Sequence, residues 1–402
     1  MAEFFNVLSL PEATRIIADN WPRPAVKTVG LEEALGRTLA ADVIAGEDLP
    51  QFPRSTVDGY AVLASDVHGA SETIPAFLSL VGEVVIGLPP RIDIASGQCA
   101  WIPTGGMLPT GADAVVMVEH TEALDRETVL VTRQVAPGEN VIRAGEDCRV
   151  GEQVLPEGHT LRPQDIGVLA ALGITEIPVF SPMRCGVIST GDEVVGIDAT
   201  PAMGQVRDVN SYVLGAALKR RGVDTRYYGV AADDFNRLQE KIAAALAEND
   251  LVVISGGSSV GNRDLSLEVL LSFPDSRLLF HGLSIKPGKP TLAVRKGPQL
   301  VLGLPGHPVS ALMVLEVLLE AVLPEGLRGT CTAVLTDNVA SQAGRDDFVR
   351  VKVEHSGEVA RAIPVHGKPG LIRVMSEANG FIHIPHHKQG LRKGETVIVR
   401  LF

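Results

Sequence analysis

The sequence predicts a multidomain protein of the α/β plus β class, and three changes of texture along the chain carry that prediction. From about residue 42 to 155, short β-branched runs (AVVMVE, TVLVT) alternate with Gly/Pro turns such as GLPP, PTGG, PTGAD and APGEN, the pattern of a β-rich region. From about residue 181, strand and helix patterns alternate, which implies a mostly parallel sheet covered by helices. After Pro324 short strands return (FVRVKVE, GFIHIP, ETVIVRL), so a small β domain is expected to close the chain.

Residues 9–21 read as a helix capped by Ser9, with Glu12 three residues on completing a capping box. LRPQDIGVLAALG reads as a second helix, with Pro163 near its start and Gly173 past its end. In the α/β region CGVIST is a strand, NSYVLGAALKRRG a helix with Asn210 as cap and a glycine stop, and VDTRYYGVA a strand. DDFNRLQEKIAAALAEND is a helix and LVVIS a strand, and LVLGLP leads into the helix HPVSALMVLEVLLEAVL. There is no fixed-period repeat.

The 402 residues suit about two to four domains. A hydrophobic fraction of 45% supports a large core, and a formal net charge of −12 disfavours nucleic-acid binding. Cys99, Cys148, Cys185 and Cys331 form no C-x-x-C pair, so neither a zinc site nor a disulfide framework is expected. The start MAEFFNVLSLPEA lacks a basic n-region, and the stretch ALMVLEVLLEAVL is broken by Glu316 and Glu320. A cytoplasmic protein with no membrane partner is the expectation.

Ligands of open parallel sheets gather at the C-terminal ends of strands. Here those ends run into TGDE (190–193), SGGSSVGNRD (255–264), SIKPGKPT (284–291) and GLPGHPVS (303–310). One such loop is ordinary turn chemistry; four on one sheet are more than turns require. Asp192, Glu193 and Asp264 are hard oxygen ligands suited to Mg²⁺, whereas Lys286 and Lys289 suit an oxyanion. The glycine loop carries no lysine of its own, so a metal at Asp264 with lysines from another loop would neutralise a bound anion. The N-terminal half holds a second set: RSTVDGYAV (54–62), WIPTGGMLPTGADAVVMVE (101–119) and VIRAGED (141–147). The HIPHH run, with His383, His386 and His387, reads as a polar strand end rather than a metal site.

DGYAV, PTGG…PTGADAVV, RAGED, STGDE, SGG-x-S-x-G-x-x-D, KPGKP and LPGHPVS, in that order, resemble the molybdopterin molybdenumtransferase family, which includes MoeA and the E domain of gephyrin. The resemblance spans about residues 5–400. It implies a cytoplasmic homodimer that inserts molybdenum into molybdopterin, using adenylylated molybdopterin and molybdate, with Mg²⁺, and releasing AMP. It also implies elongated four-domain subunits. These comprise an extended domain (1–44 with 140–180), an inserted β domain (45–139), a doubly wound α/β molybdopterin-binding domain (181–325) and a C-terminal β-barrel-like domain (326–402).

Carried over by motif, Asp58, Glu193 and Asp264 are catalytic, with Asp264 the metal ligand. Thr104, Asp147, Thr190, Gly191, Asp192, Ser255, Gly256 and Gly257 bind substrate, and Lys286, Lys289, Ser310, Arg345 and Ser376 line the molybdate pocket. The N-terminal residues are implied to face the α/β domain of the other subunit. Ser258 stands where the family has an apolar residue, Asn262 where an acid is common, and His307 where Asn is frequent. The loss of the acid at 262 weakens a second carboxylate on the metal. A pterin or nucleotide adenylyltransferase, or a pyrophosphatase, on the same scaffold would not need DGYAV or RAGED. A gephyrin-like scaffold would not need intact site residues.

Overall fold

The computed structural model describes residues 7–256, 265–323, 329–356, 359–368 and 370–402. It divides into two compact units, Met1–Ala25 with Ser181–Phe402, and Val26–Phe180.

In the first unit a six-stranded sheet runs in the order Asp224–Ala231, Arg184–Thr190, Leu251–Ser255, Gln299–Leu304, Leu292–Lys296, Ser276–His281. The first four strands are parallel, and Leu292–Lys296 is antiparallel to both of its neighbours. Ser276–His281 therefore points the same way as the parallel four, and its C-terminal end lies at the same edge. The expected mostly parallel sheet is present. Leu292–Lys296, unread in the sequence, is the first arm of a hairpin whose second arm is LVLGLP.

Both faces of the sheet are buried, which explains strands that are apolar throughout. Leu251 and Val253 pack with the helices Leu10–Asp19, Asn210–Arg220 and Pro308–Glu320. Val252 and Ile254 point the other way, to Phe235–Glu248 and Leu265–Ser272. Glu316, which interrupts the apolar helix, is buried between Arg220 and Arg221 at 2.5 and 2.7 Å, so its charge is paired rather than solvated. No described helix is long and apolar enough to cross a membrane.

The predicted caps mostly hold. Glu12 accepts from the Ser9 N–H (3.0 Å) and hydroxyl (2.6 Å), and Pro163–Ala171 ends before Gly173. Asn210 does not cap its helix. The carboxylate of Asp208, two positions earlier, instead takes the Ser211 N–H at 3.1 Å.

The C-terminal strands close on themselves: Asp346–Ser356, Val359–Pro364, Thr330–Leu335, Thr396–Leu401 and Gly380–Ile384, which returns to pair with the first. Ile285–Lys286 adds in parallel to this barrel, opposite Asp346 and Asp347.

In the second unit, Val26–Gly30 pairs with Glu176–Phe180, Val43–Ile44 with Gln153–Leu155, and Arg54–Ser55 with Val141–Ile142. The first two pairs share a small core of Val29, Leu39, Val43, Leu155, Leu161, Leu169, Ile177 and Val179. Between them lies a six-stranded sheet in the order Ala114–Met117, Gly59–Val62, Gln98–Ile102, Ala76–Glu83, Thr128–Val131, Thr121–Ala123.

Candidate functional site

Parallel strands place three loop roots side by side at one sheet edge. Thr190, Ser255 and Leu304 end neighbouring strands, in register as Ser189 beside Ser255 and Ser255 beside Leu304. The Gly256 N–H donates to the Leu304 carbonyl at 3.2 Å. Gly256 has φ of 101°, and a Cβ there would lie 2.4 Å from the Thr190 carbonyl oxygen, so only glycine lets the chain turn so close to its neighbour. Thr190 is 4% exposed, and its hydroxyl has no hydrogen-bond partner among the described residues.

TGDE turns back on itself, with the Val194 N–H on the Gly191 carbonyl at 3.1 Å. Asp192 Oδ1 accepts from the Asp233 N–H at 3.0 Å, while Glu193 is exposed beside Gly191. Asp233 was missed in the sequence. Burial first, then repulsion from Asp192 and Glu193, raises its carboxyl above the ordinary aspartate range. The rule that singles out TGDE applies equally to the strand ending at Ala231, whose next residues are Ala232 and Asp233.

The lysine loop leaves Ser276–His281 and is pinned by its backbone. The Lys289 carbonyl accepts from the N–H groups of Leu283 and Thr291, both at 2.9 Å, and the side chains of Lys286 and Lys289 are exposed. Gly288 has φ of 118°, and a Cβ there would lie 2.1 Å from Val314 Cγ2, so the turn can sit against the Pro308–Glu320 helix only as glycine. Ser310 is buried in the first turn of that helix, and His307 occupies its cap position without a side-chain cap bond.

The barrel supplies Arg345, whose Nε donates to Asp347 Oδ1 at 2.9 Å, on the residue opposite Lys286. Ser376 lies in the short helix Arg373–Glu377, its hydroxyl on the Arg373 carbonyl at 2.8 Å. It lines a cavity of about 520 Å³ with Met313, Glu316, Arg350 and Phe402. His383 meets Asp346 at 2.7 Å and stacks on Phe348, as the strand-end reading expected.

In the second unit the N-terminal motifs converge. Asp58 Oδ1 accepts from the Thr104 N–H (2.7 Å) and hydroxyl (2.9 Å), which hold its carboxyl below the ordinary range, the backbone bond contributing most. The Ser55 N–H reaches the Gly106 carbonyl, and the Thr56 N–H that of Asn140, both at 3.0 Å. The Asp147 N–H donates to Leu49 at 2.9 Å and its side chain is exposed. Gly257, Ser258, Asn262 and Asp264 lie outside the described residues.

Among the described residues no three His, Cys, Asp or Glu side chains form a metal cage. The crowding that raises Asp233 does fit a cation that keeps most of its water and takes one or two carboxylates, as Mg²⁺ does.

Three family models match the chain: MoeA N-terminal region (domain I and II) over residues 8–173, probable molybdopterin binding domain over 186–325, and MoeA C-terminal region (domain IV) over 332–402. A molybdopterin molybdenumtransferase of Haemophilus influenzae is 31% identical, covering 98% of this chain and 99% of its own length. Molybdopterin molybdenumtransferase 2 of Mycobacterium tuberculosis is 32% identical, covering 94% and 95%. The crystal structure of a molybdopterin biosynthesis MoeA protein from Pyrococcus horikoshii OT3 superposes with a TM-score of 0.80 at 32% identity, covering 99% of this chain and 100% of that one.

Proposed function

The chain belongs to the molybdopterin molybdenumtransferase family, and from that premise we propose how its residues insert molybdenum into molybdopterin. The substrates are adenylylated molybdopterin and molybdate, and AMP is released, in the cytoplasm. The observation that carries this reading is one sheet edge bearing two opposite chemistries, the acids of TGDE and Asp233 and the lysines of KPGKP.

The acids take the cation side. Asp264, Asp192 and Glu193 would hold Mg²⁺, which would offset the charge of the anhydride joining molybdopterin to AMP. Gly191 and Gly256 give their N–H groups to the Ala231 and Leu304 carbonyls, so their part is to let the backbone come close to the phosphates. Lys286, Lys289, Ser310, Arg345 and Ser376 receive molybdate. Arg345 keeps its two terminal nitrogens for the oxyanion because Asp347 binds it through Nε.

Asp58, Thr104 and Asp147 come from the partner protomer of a homodimer. This part rests on their lying in a different structural unit from residues 190–376, and on their polar, exposed side chains. Thr104 is tied to Asp58, so the pair acts together.

Incubation with adenylylated molybdopterin and molybdate should release AMP only when a divalent cation is present. Asp264→Asn should abolish turnover while the protein stays folded. Full AMP release under a chelator would defeat the metal assignment, and pyrophosphate released from ATP with molybdopterin in a separate incubation would point to adenylyl transfer. Mixing Asp58→Ala with Asp264→Ala tests the dimer. Each homodimer should be inactive, and the mixture should regain activity through one intact site per mixed dimer. Confirmed subunit exchange without recovered activity would place the whole site in one chain.

A further inference from the structure

We propose that Asn210 is a positioning residue that latches the root of the glycine loop to the root of the Pro308–Glu320 helix. Its Nδ2 donates to Ser255 Oγ at 2.5 Å and to the Gly306 carbonyl at 2.8 Å. The orientation of the amide follows from its partners. Gly306 offers only a carbonyl, and the Ser255 hydroxyl donates onward to Pro305 at 3.4 Å, so both need a donor and the nitrogen must face them.

Asn210 is free to reach because the capping work is done elsewhere. Asp208, 4% exposed, takes the Ser211 N–H at 3.1 Å and the Ser189 hydroxyl at 2.7 Å. Among the described residues the buried oxygen of the Asn210 amide has no partner. An unpaired acceptor costs stability, so fold maintenance alone gives little reason for an amide here. The two roots it joins already touch: Gly256 donates to Leu304, and a Cβ on Gly306 would lie 3.6 Å from Gly256 Cα. The latch sets where Ser255 and Gly256 stand relative to the start of the Pro308–Glu320 helix. Neither of its two hydrogen bonds goes to the lysine loop.

The inference rests on the reading of the glycine loop as the phosphate side of the substrate site. The test is Asn210→Ala and the isosteric Asn210→Asp, assayed for AMP release and for hydrogen exchange at the Gly256 amide. A displaced loop should lower kcat roughly a hundredfold, leave KM for molybdate within about twofold, and speed Gly256 exchange roughly tenfold. Equal losses in kcat and molybdate affinity with a lower melting temperature would make Asn210 a plain fold residue and overturn the proposal. Unchanged turnover would overturn it too. If the wild-type protein releases no AMP, the functional reading fails separately. The latch is then judged by exchange alone, and an unchanged Gly256 amide refutes it. Should Asn210→Ala not fold, Asn210→Asp carries the same measurements.

Discussion

Asp58 and Asp233 are both exposed aspartates beside a strand, and their surroundings act on them in opposite directions. Two donors from Thr104 stabilise the charge of Asp58, whereas Asp233 faces burial and the acids Asp192 and Glu193. The charge of the first carboxylate is held by its own fold, which joins DGYAV to PTGG and fixes its aim. The second is left with excess negative charge, the condition that the proposed cation would relieve. The sign of the imbalance, rather than the presence of acids, separates a carboxylate oriented by its own fold from one suited to a cation.

The comparison breaks most visibly with Mg²⁺. Added Mg²⁺ should raise the melting temperature of the wild-type protein and of Asp58→Asn, because both keep the acid cluster. Asp192→Asn and Asp233→Asn should lose most of that gain, and their turnover should fall roughly tenfold or more. Equal stabilisation of all four proteins by Mg²⁺ would remove the distinction between the two regions.

A smaller effect is expected on the cation side. Lys289→Ala and Arg345→Ala should each weaken molybdate by about 1.5–3 kcal/mol, the range of a hydrogen bond to a charged group, which is about tenfold or more. Asp347→Asn leaves the guanidinium in place but loosens its aim, so its loss should be smaller than that of Arg345→Ala. Isothermal titration with molybdate ranks the three. A fall in pterin affinity with molybdate affinity intact would reverse the assignment.

Much of this arrangement was legible in the sequence, and the remainder was hidden for physical reasons. Alternating strand and helix patterns revealed the parallel sheet, and the glycine-bearing strand ends pointed to its edge. Asp58 and Thr104 were visible as separate turns 46 positions apart, but nothing in either turn disclosed that one binds the other. Asp233 was read as the first residue of a helix that begins only at Phe235, after its true cap Asp234, which accepts from the Arg237 N–H at 3.0 Å. Asn210 was read as a cap because asparagine favours that position. Its longer-range role depends on Ser255 and Gly306, which only the fold brings near. The barrel strands Thr330–Leu335 and Val359–Pro364 went unread, because closure is a property of pairing and not of any one strand.

The smallest and most discriminating effect lies in acid. Asp58 has a folded pKa below its unfolded value near ~3.9. Its stabilisation is therefore present above that value and lost as pH falls through the lower folded one. Asp233 has a raised folded pKa. Its contribution is present below about 3.9 and lost as pH rises through the folded value. Stability should thus climb with pH on account of Asp58 and sag on account of Asp233. Melting temperatures of Asp58→Asn and Asp233→Asn, measured without divalent cations from acid to neutral pH, separate the two. Relative to wild type, Asp58→Asn should show a shallower rise and Asp233→Asn a steeper one. Both differences should be small, because both side chains are exposed and solvent screens their interactions. Curves that shift in the same direction would mean that the two carboxylates share one electrostatic environment, and the contrast between the regions would fall.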